Sequence, residues 1–219
     1  MKKIVIFDMD GVLIDSEKVY AKWAEEFLLQ NGATLTEETR RKLVGSSYLK
    51  TGCIMADAWP CPISPAEVLE RFRESQKKHS INYREIMVPQ AETVLHNLSE
   101  KGLILALASS SPTETIEKVM HQTELGDYFD LIVSGEEFEE SKPNPEIYLS
   151  VLGALNCTAE ECIVVEDSEY GIAAGKAAGI YVVARRESEL PVCQKEADVI
   201  IDSLDEIETC LGRFDRGDI

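Results

Sequence analysis

Residues 1–17 read MKKIVIFDMDGVLIDSE, and the run KIVIFD at 3–8 ends in Asp8, two positions before Asp10. Short apolar runs with β-branched residues are typical of strands buried on both faces of a parallel sheet. Two like charges at the end of such a strand repel each other, and burying either one is costly. The stretch therefore predicts a buried strand whose carboxyl end faces something positively charged.

The composition is that of an acidic chain with enough apolar residues for a core. Of 219 residues 44% are hydrophobic, and the formal net charge is −18. Nucleic acids and anionic membrane surfaces are bound through clustered lysine and arginine, so both are disfavoured as partners. No apolar run approaches the roughly 20 residues of a membrane helix. Asp8 interrupts the apolar stretch after the N-terminal lysines, so we expect no signal peptide and a cytoplasmic protein.

The six cysteines form no C-x-x-C pair, and the three histidines lie far from them in sequence. This spacing disfavours a zinc site. Because cytoplasmic proteins keep their thiols reduced, we expect buried, reduced cysteines. They are Cys53, Cys61, Cys157, Cys162, Cys193 and Cys210.

The stretch from 16 to 83 has helical patterns and no convincing strand. Ser16 is placed to cap a helix that runs to Gln30, and the prolines within 52–65 indicate a loop. A charged helix follows that loop and ends near residue 78. We therefore expect a small helical unit inserted after the first strand.

From residue 89 onward, helical and strand patterns alternate. Such alternation indicates a parallel sheet covered by helices on both faces, that is, an α/β fold. We expect one domain from 1–15 plus 84–219 and a helical cap domain from 16–83, with hinges near 14–17 and 80–88. The further strands are predicted at 103–108, 130–133, 162–165, 180–183 and 198–201.

Polar residues follow several of these strands at the carboxyl edge of the sheet, where ligands bind in such folds. Alone, Ser109 is as well explained by a helix cap and Lys142 by a solvated loop lysine. Together, four carboxylates at one edge imply a divalent cation, and ligands that are all oxygen favour Mg²⁺. A lysine and a helix N-terminus beside the metal suit a phosphate group. The residues at this edge are Asp8, Asp10, Ser109, Ser110, Ser111, Lys142, Glu166 and Asp167.

Four segments in order resemble the motifs of the haloacid dehalogenase-like superfamily, in particular its helical-cap branch with β-phosphoglucomutase and phosphoglycolate phosphatase. The resemblance covers nearly the whole chain. It implies a Rossmann-like parallel-sheet core with an inserted cap, a Mg²⁺ cofactor, a small phosphorylated metabolite as partner and a monomeric protein. The segments are DMDGVLIDSE (8–17), ALASSS (106–111), SKPNPEIY (141–148) and VVEDSEYGI (164–172).

The resemblance also implies roles for the residues of these motifs. Asp8 is the expected nucleophile and Asp10 the general acid and then base, whereas the dehalogenases that named the family lack this second aspartate. Ser109, Ser110 and Lys142 are expected to bind the phosphoryl oxygens. The expected metal ligands are Asp8, the backbone carbonyl of Asp10, Glu166 and Asp167.

The cap residues bear on which reaction takes place. The family's sugar phosphomutases carry a histidine on the first cap helix, where this chain has Tyr20, and an arginine just after the cap glycine, Gly45. Both departures favour a phosphatase, with a sugar phosphomutase as the alternative. A receiver-like signalling domain is disfavoured, because receivers lack a counterpart of Asp10. The expected substrate-selecting residues are Tyr20, Gly45, Tyr48 and Lys50; Trp23 is better explained as cap core.

The chemical class of the substrate stays open at this point among a sugar phosphate, a glycolytic acid phosphate, a nucleotide and pyrophosphate. What the motifs predict is the chemistry, in which a carboxylate attacks phosphorus and a phosphoaspartate splits one difficult step into two.

Overall fold

A parallel sheet forms the centre of the larger part of the molecule. The computed structural model describes residues 3–44, 46, 48–77, 79–187, 190 and 192–216, and it describes only the backbone of Tyr48 and of 213–216. The strands are β1 (Ile4–Phe7), β2 (Ile104–Ser109), β3 (Leu131–Ser134), β4 (Cys162–Glu166), β5 (Tyr181–Arg185) and β6 (Val199–Ile201). They lie in the order β3-β2-β1-β4-β5-β6, all parallel, which confirms the predicted α/β fold.

Helices cover the sheet and form the inserted unit. None of those in the described ranges is both long and apolar enough to cross a membrane. The helices are α1 (Ser16–Gln30), α2 (Glu37–Leu43), α3 (Tyr48–Ala58), α4 (Pro65–Gln76), α5 (Ala91–Glu100), α6 (Thr113–Thr123), α7 (Glu146–Ala154), α8 (Glu169–Ala177) and α9 (Glu206–Arg216).

Strand β1 is apolar because helices cover both of its faces. Val5 and Phe7 pack in one core cluster with residues of α5, α6 and α9. Ile4 and Ile6 pack in a second cluster with residues of α7 and α8. Each fully buried side chain of this size contributes roughly 1.5–3 kcal/mol. The strand is therefore fixed in register, and its carboxyl end lies at a defined point of the sheet edge.

Helices α1 to α4 have a separate core. Phe27 and Leu28 of α1 pack with Met55 of α3 and with Val68 and Phe72 of α4. As expected, the described residues between 16 and 83 contain no strand of the sheet. The domain boundaries expected from the sequence stay a prediction.

The two linkers between this helical unit and the sheet run side by side. Ile14 and Met87 form an antiparallel bridge. The amide of Asp15 donates to the carbonyl of Ile86 at 2.8 Å, and the amide of Val88 donates to Leu13 at 2.9 Å. The segments expected to act as hinges are thus hydrogen-bonded to each other.

The loop predicted for 52–65 is wrong in its first half. Helix α3 continues to Ala58, and the three prolines lie after it. The helix persists because Met55 is buried in the cap core and Gly52 lies against Leu69 of α4. Packing between two helices, which a local pattern does not reveal, decides the structure here.

The predicted capping role of Ser16 is also wrong. Asp15 occupies the N-cap position of α1, where no side chain caps the helix, and Ser16 is the first helical residue. The Ser16 hydroxyl donates instead to the carboxylate of Asp10. The serine that was expected to serve its own helix thus contacts the end of β1.

Candidate active site

The expected polar residues meet at the carboxyl edge of the sheet. Because β1 lies between β2 and β4, the residues that follow these strands are neighbours in space. Asp8 follows β1, Ser109 ends β2, and Asp167 follows β4. Lys142 reaches the same place from the loop that precedes α7. All four residues are buried.

Lys142 supplies the positive charge that the sequence predicts at the carboxyl end of β1. Its Nζ lies 2.5 Å from Oδ1 of Asp8, 2.7 Å from Oε1 of Glu166 and 3.0 Å from the carbonyl oxygen of Ala108. These three acceptors use its three donor protons. Burial on its own lowers the pKa of Lys142, but the charges of Asp8 and Glu166 outweigh it and raise the pKa. The ammonium therefore stays charged at neutral pH.

Glu166 orients Lys142 through a hydrogen bond and is itself fixed by several donors. Its Oε1 accepts from Lys142 and, at 2.7 Å, from the hydroxyl of Tyr148. Its Oε2 accepts from the amide of Asp167 at 3.1 Å and from the hydroxyl of Ser168 at 3.1 Å. A Cβ at Gly171 would overlap this carboxylate, so the first turn of α8 is built around it. Both oxygens of Glu166 are thus engaged, so the carboxylate orients Lys142, and its role as a metal ligand stays a prediction.

Asp167 is left with an unused oxygen. Its Oδ2 is buried and has no hydrogen-bond partner among the described residues. A Cβ at Gly11 would overlap this carboxylate, and Gly11 has a φ of +79°, so only a glycine leaves room for it. An unpaired buried carboxylate oxygen is strongly destabilising unless a cation or donor meets it.

The cluster fits a divalent cation. One carboxylate oxygen each from Asp8, Glu166 and Asp167 lie within 4.8 Å of one another. Burial raises the pKa of Asp8 to about 8, against the opposing charge of Lys142. Burial, together with the charges of Glu17 and Glu166, raises the pKa of Asp167 well above its ordinary value. A hard cation with oxygen ligands would relieve this desolvation and repulsion.

Asp10 is held by two hydroxyls. Ser16 donates to its Oδ1, and Ser111 donates to its Oδ2 at 2.7 Å. Burial raises its pKa, and the two serine hydrogen bonds oppose that rise. A carboxyl whose pKa is raised toward neutrality suits the transfer of a proton in both directions.

The serines after β2 differ in part from expectation. Ser109 is buried, and its hydroxyl accepts from the amide of Ser111 at 3.1 Å. Ser111, which was not among the expected phosphate-binding residues, donates to Asp10 at 2.7 Å. Ser110 is half-buried at the same edge and stays a predicted phosphate-binding residue.

The cap residues show two contacts relevant to the site. The hydroxyls of Tyr20 and Tyr83 lie 3.1 Å apart, and burial together with the charge of Asp10 raises the pKa of Tyr20. Nζ of Lys50 lies 3.6 Å from the ring centroid of Tyr170, which is in the first turn of α8, so α3 of the helical unit contacts α8. Gly45 and the side chain of Tyr48 lie outside the described residues.

Tyr148 was not among the residues expected at the site. It lies within the motif SKPNPEIY, and that position is the only signal in the sequence for a role. Trp23 packs against the cap core, as expected, and stacks on His79 with ring centroids 4.8 Å apart.

Comparisons with known proteins agree with this geometry. The sequence profile of a family described as haloacid dehalogenase-like hydrolase matches residues 5–185. The chain is 34% identical over 178 residues to a phosphorylated carbohydrates phosphatase of Thermotoga maritima, covering 80% of this chain and 81% of that one. It is 31% identical over 209 residues to hexitol phosphatase B of Escherichia coli (strain K12), with 92% of each chain covered.

A solved structure shares the fold. The crystal structure of β-phosphoglucomutase from Clostridium difficile superposes with a TM-score of 0.80, covering 99% of this chain and 98% of that one. The two sequences are 21% identical. At that identity the likeness concerns the architecture, including the inserted helical unit.

Proposed function

The chain belongs to the haloacid dehalogenase-like hydrolase family, and from this premise we propose that it is a magnesium-dependent phosphatase of a small phosphorylated carbohydrate. The observation that carries the proposal is the meeting of Asp8, Asp10, Lys142 and Asp167 at one sheet edge. The phosphatases among its relatives support the carbohydrate class. A phosphorylated metabolite is also compatible with the acidic chain, because the buried Lys142 supplies a local positive charge at the site.

Asp8 is the nucleophile in this proposal. Its carboxylate attacks phosphorus, the bond from phosphorus to the ester oxygen breaks, and a phosphoaspartate forms on Asp8. Lys142, 2.5 Å from Oδ1 of Asp8, reduces the repulsion between the carboxylate and the phosphate dianion. In this proposal Ser109 and Ser110 donate to the phosphoryl oxygens.

Asp8, Asp167 and the backbone carbonyl of Asp10 are the residues that would hold Mg²⁺. When bound, the ion supplies positive charge that favours approach of one anion to another. Glu166 acts beside it by fixing Lys142. Asp167 contributes the oxygen that has no other partner among the described residues.

Asp10 moves the protons. It gives a proton to the departing alkoxide, and then takes a proton from the water that attacks the phosphoaspartate, releasing phosphate and restoring Asp8. The hydroxyls of Ser16 and Ser111 orient it, and burial raises its pKa. Because Ser16 opens α1, the position of the cap and the orientation of Asp10 are linked.

A sugar phosphomutase is the second candidate, and the fold shared with a β-phosphoglucomutase favours it. In a mutase the phosphoryl group passes to a sugar while water is excluded. Tyr20 stands where the mutases carry a histidine, and its hydroxyl contacts Tyr83 of the second linker. A neutral phenol with a raised pKa is a poor proton acceptor, which favours the phosphatase.

The proposal is tested by a phosphate-release assay with Mg²⁺ on a panel of phosphorylated carbohydrates, acid phosphates, nucleotides and pyrophosphate. We expect free phosphate from one group of phosphorylated carbohydrates. Asp8→Asn is expected to abolish release, whereas the control Asp130→Asn is expected to retain it. Asp130 accepts from the amide of Leu105 at the opposite end of the sheet.

Three results would contradict the proposal. The 6-phosphate isomer formed from β-glucose 1-phosphate without free phosphate would make the protein a mutase. Phosphate release retained in Asp8→Asn would remove Asp8 as the nucleophile. A phosphoaspartate that persists for hours in the wild-type protein would instead indicate signalling.

A further inference from the structure

Arg185, the last residue of β5, reaches across the carboxyl edge to the segment that follows β1. Its Nη1 donates to the carbonyl oxygen of Gly11 at 2.6 Å and to Oδ1 of Asp15 at 2.8 Å. The guanidinium is largely enclosed, with 18% of the side chain exposed. Gly11 directly follows the general acid, and Asp15 directly precedes α1. Arg185 therefore contacts the segment that connects β1 to α1 at two points, in its middle and at its end.

Gln194 connects Arg185 to the other side of the site. Its Nε2 donates to the carbonyl oxygen of Asp167 at 2.6 Å and to that of Arg185 at 2.7 Å, and its Oε1 accepts from the amide of Glu187 at 3.1 Å. The residue is buried. A buried amide with all of these contacts made is strongly oriented.

These contacts converge on the place where the Gly11 peptide packs against Asp167. The Gly11 peptide lies against the Asp167 carboxylate so closely that a Cβ there would overlap it. Arg185 fixes the carbonyl of Gly11, and Gln194 fixes the carbonyl of Asp167. Both backbone segments that border the cation cluster are thus attached to the end of β5.

The same contacts reach the linkers. The Asp15 carboxylate accepts from Arg185, while the Asp15 amide donates to Ile86 of the second linker. Arg185 thus contacts the linker pair at the position where the first linker turns into α1. A charge-assisted bond that is partly shielded from water holds its geometry better than an exposed one.

We propose that Arg185 and Gln194 are positioning residues that hold the Gly11–Asp15 segment and Asp167 at the separation needed to bind Mg²⁺ and to aim Asp8 and Asp10. This inference rests on the proposed function. Neither residue touches the reacting atoms. Their effect on the rate is through position, because a displacement of catalytic groups by about 1 Å costs roughly 100-fold in rate.

The test compares Arg185→Met and Gln194→Met with the matched control Arg186→Met. Arg186 is the adjacent arginine, and its exposed ion pair with Asp202 lies outside the site. Mg²⁺ binding is followed without substrate, by the rise in melting temperature during a Mg²⁺ titration. We expect the first two variants to need about 10-fold more Mg²⁺ for half the rise, a typical effect of removing groups that orient metal ligands. The control is expected to match the wild type.

Turnover gives the second measurement. On a substrate found by the phosphate-release assay, kcat at saturating Mg²⁺ is expected to fall about 10-fold or more in Arg185→Met, as for misplaced catalytic groups. KM is expected to change less. Arg185→Lys retains the positive charge and a donor nitrogen, so it is expected to recover part of both losses.

Wild-type Mg²⁺ binding and kcat in Arg185→Met would overturn the inference. If Arg185→Met fails to fold, Gln194→Met and Arg185→Lys decide it, and unchanged Mg²⁺ binding in both would overturn it equally. Because the Mg²⁺ titration needs no substrate, weakened binding in the variants together with no phosphatase activity on any substrate would refute the proposed function and leave the positioning role standing.

Discussion

At the scale of single residues, Tyr148 is the clearest addition to the expected site. It is fully buried, its hydroxyl donates to Glu166 at 2.7 Å, and its ring centroid lies 5.0 Å from Nζ of Lys142. Burial and the nearby Glu166 charge raise the pKa of Tyr148, so the phenol stays a donor. Tyr148 thus supports Lys142 both directly, through its ring, and indirectly, through Glu166.

Tyr148→Phe is therefore expected to weaken the site while the protein still folds. Removing one hydrogen bond to a charged group costs about 1.5–3 kcal/mol of unfolding free energy. We also expect kcat to fall, because Glu166 would hold Lys142 less firmly. The control is Tyr128→Phe, since the Tyr128 ring packs edge-on against His96, away from the site. Chemical denaturation and steady-state kinetics check both effects, and equal losses in the two variants would contradict this role.

The serines show how far a motif predicts individual contacts. Ser109, Ser110 and Ser111 follow each other after β2, and the motif alone does not say which of them turns toward Asp10. The structure has Ser111 there, with its carbonyl accepting from the hydroxyl of Ser134 at 2.8 Å. That choice depends on the path of the chain between β2 and β3, which is a tertiary property.

At the scale of elements, α3 shows packing overriding a local pattern. The three nearby prolines predict a loop, yet α3 continues to Ala58, and Gly52 within it allows α4 to cross closely. A Cβ at Gly52 would lie 2.6 Å from Cδ1 of Leu69 and 3.0 Å from the carbonyl oxygen of Pro65. The glycine is therefore required by the contact between two helices.

Gly52→Ala is expected to destabilise the protein by about 1–3 kcal/mol, the usual cost of overpacking. The matched control is Gly153→Ala in α7, where a Cβ would have no heavy atom within 4 Å. There the gain in helix propensity is expected to stabilise the protein by up to about 1 kcal/mol. Urea denaturation of both variants measures the difference, and a Gly52→Ala protein as stable as the wild type would refute the close crossing.

The positions of the strands follow from local patterns in the sequence. Strands β1, β2, β4 and β5 lie within a residue or two of the predicted positions because each is a short apolar run between polar turns. Their order in the sheet is not a local property, and it is what brings Asp8 between Ser109 and Asp167.

At the scale of the whole molecule, the buried carboxylates link stability, pH and Mg²⁺. The pKa of Asp8 in the folded protein is about 8, above its ordinary value of 3.8, and burial also raises the pKa of Asp10 and Asp167. At a pH between the pKa of these carboxyls in the unfolded state and their pKa in the folded state, the folded state binds more protons. Its stability therefore falls as pH rises through that window, and the stabilising contribution is complete only at low pH.

We expect the melting temperature of the metal-free protein to fall between pH 6 and pH 9. Mg²⁺ competes with protons for Asp8 and Asp167, so its stabilising effect is expected to be larger at pH 9. A ligand at 100 times its dissociation constant adds about 2.7 kcal/mol, which for this chain length corresponds to roughly 5–11 °C.

Scanning fluorimetry with EDTA or Mg²⁺ at both pH values checks this expectation. Asp167→Asn serves as the control, because it removes one titrating ligand and is expected to weaken both the pH dependence and the response to Mg²⁺. A melting temperature in EDTA that does not change over the range would contradict the raised pKa values.

The sequence by itself determined the parallel sheet, the helical insertion after β1 and the set of groups at the carboxyl edge. Each of the four motifs is a local feature, and their order along the chain predicts that they form one site. Only the tertiary structure decided that Ser111 and Ser16 hold Asp10, that Tyr148 supports Glu166, and that Arg185 and Gln194 connect the two sides. Arg185 and Gly11 are 174 positions apart, and a hydrogen bond over that separation exists only after the sheet has brought β5 alongside the site.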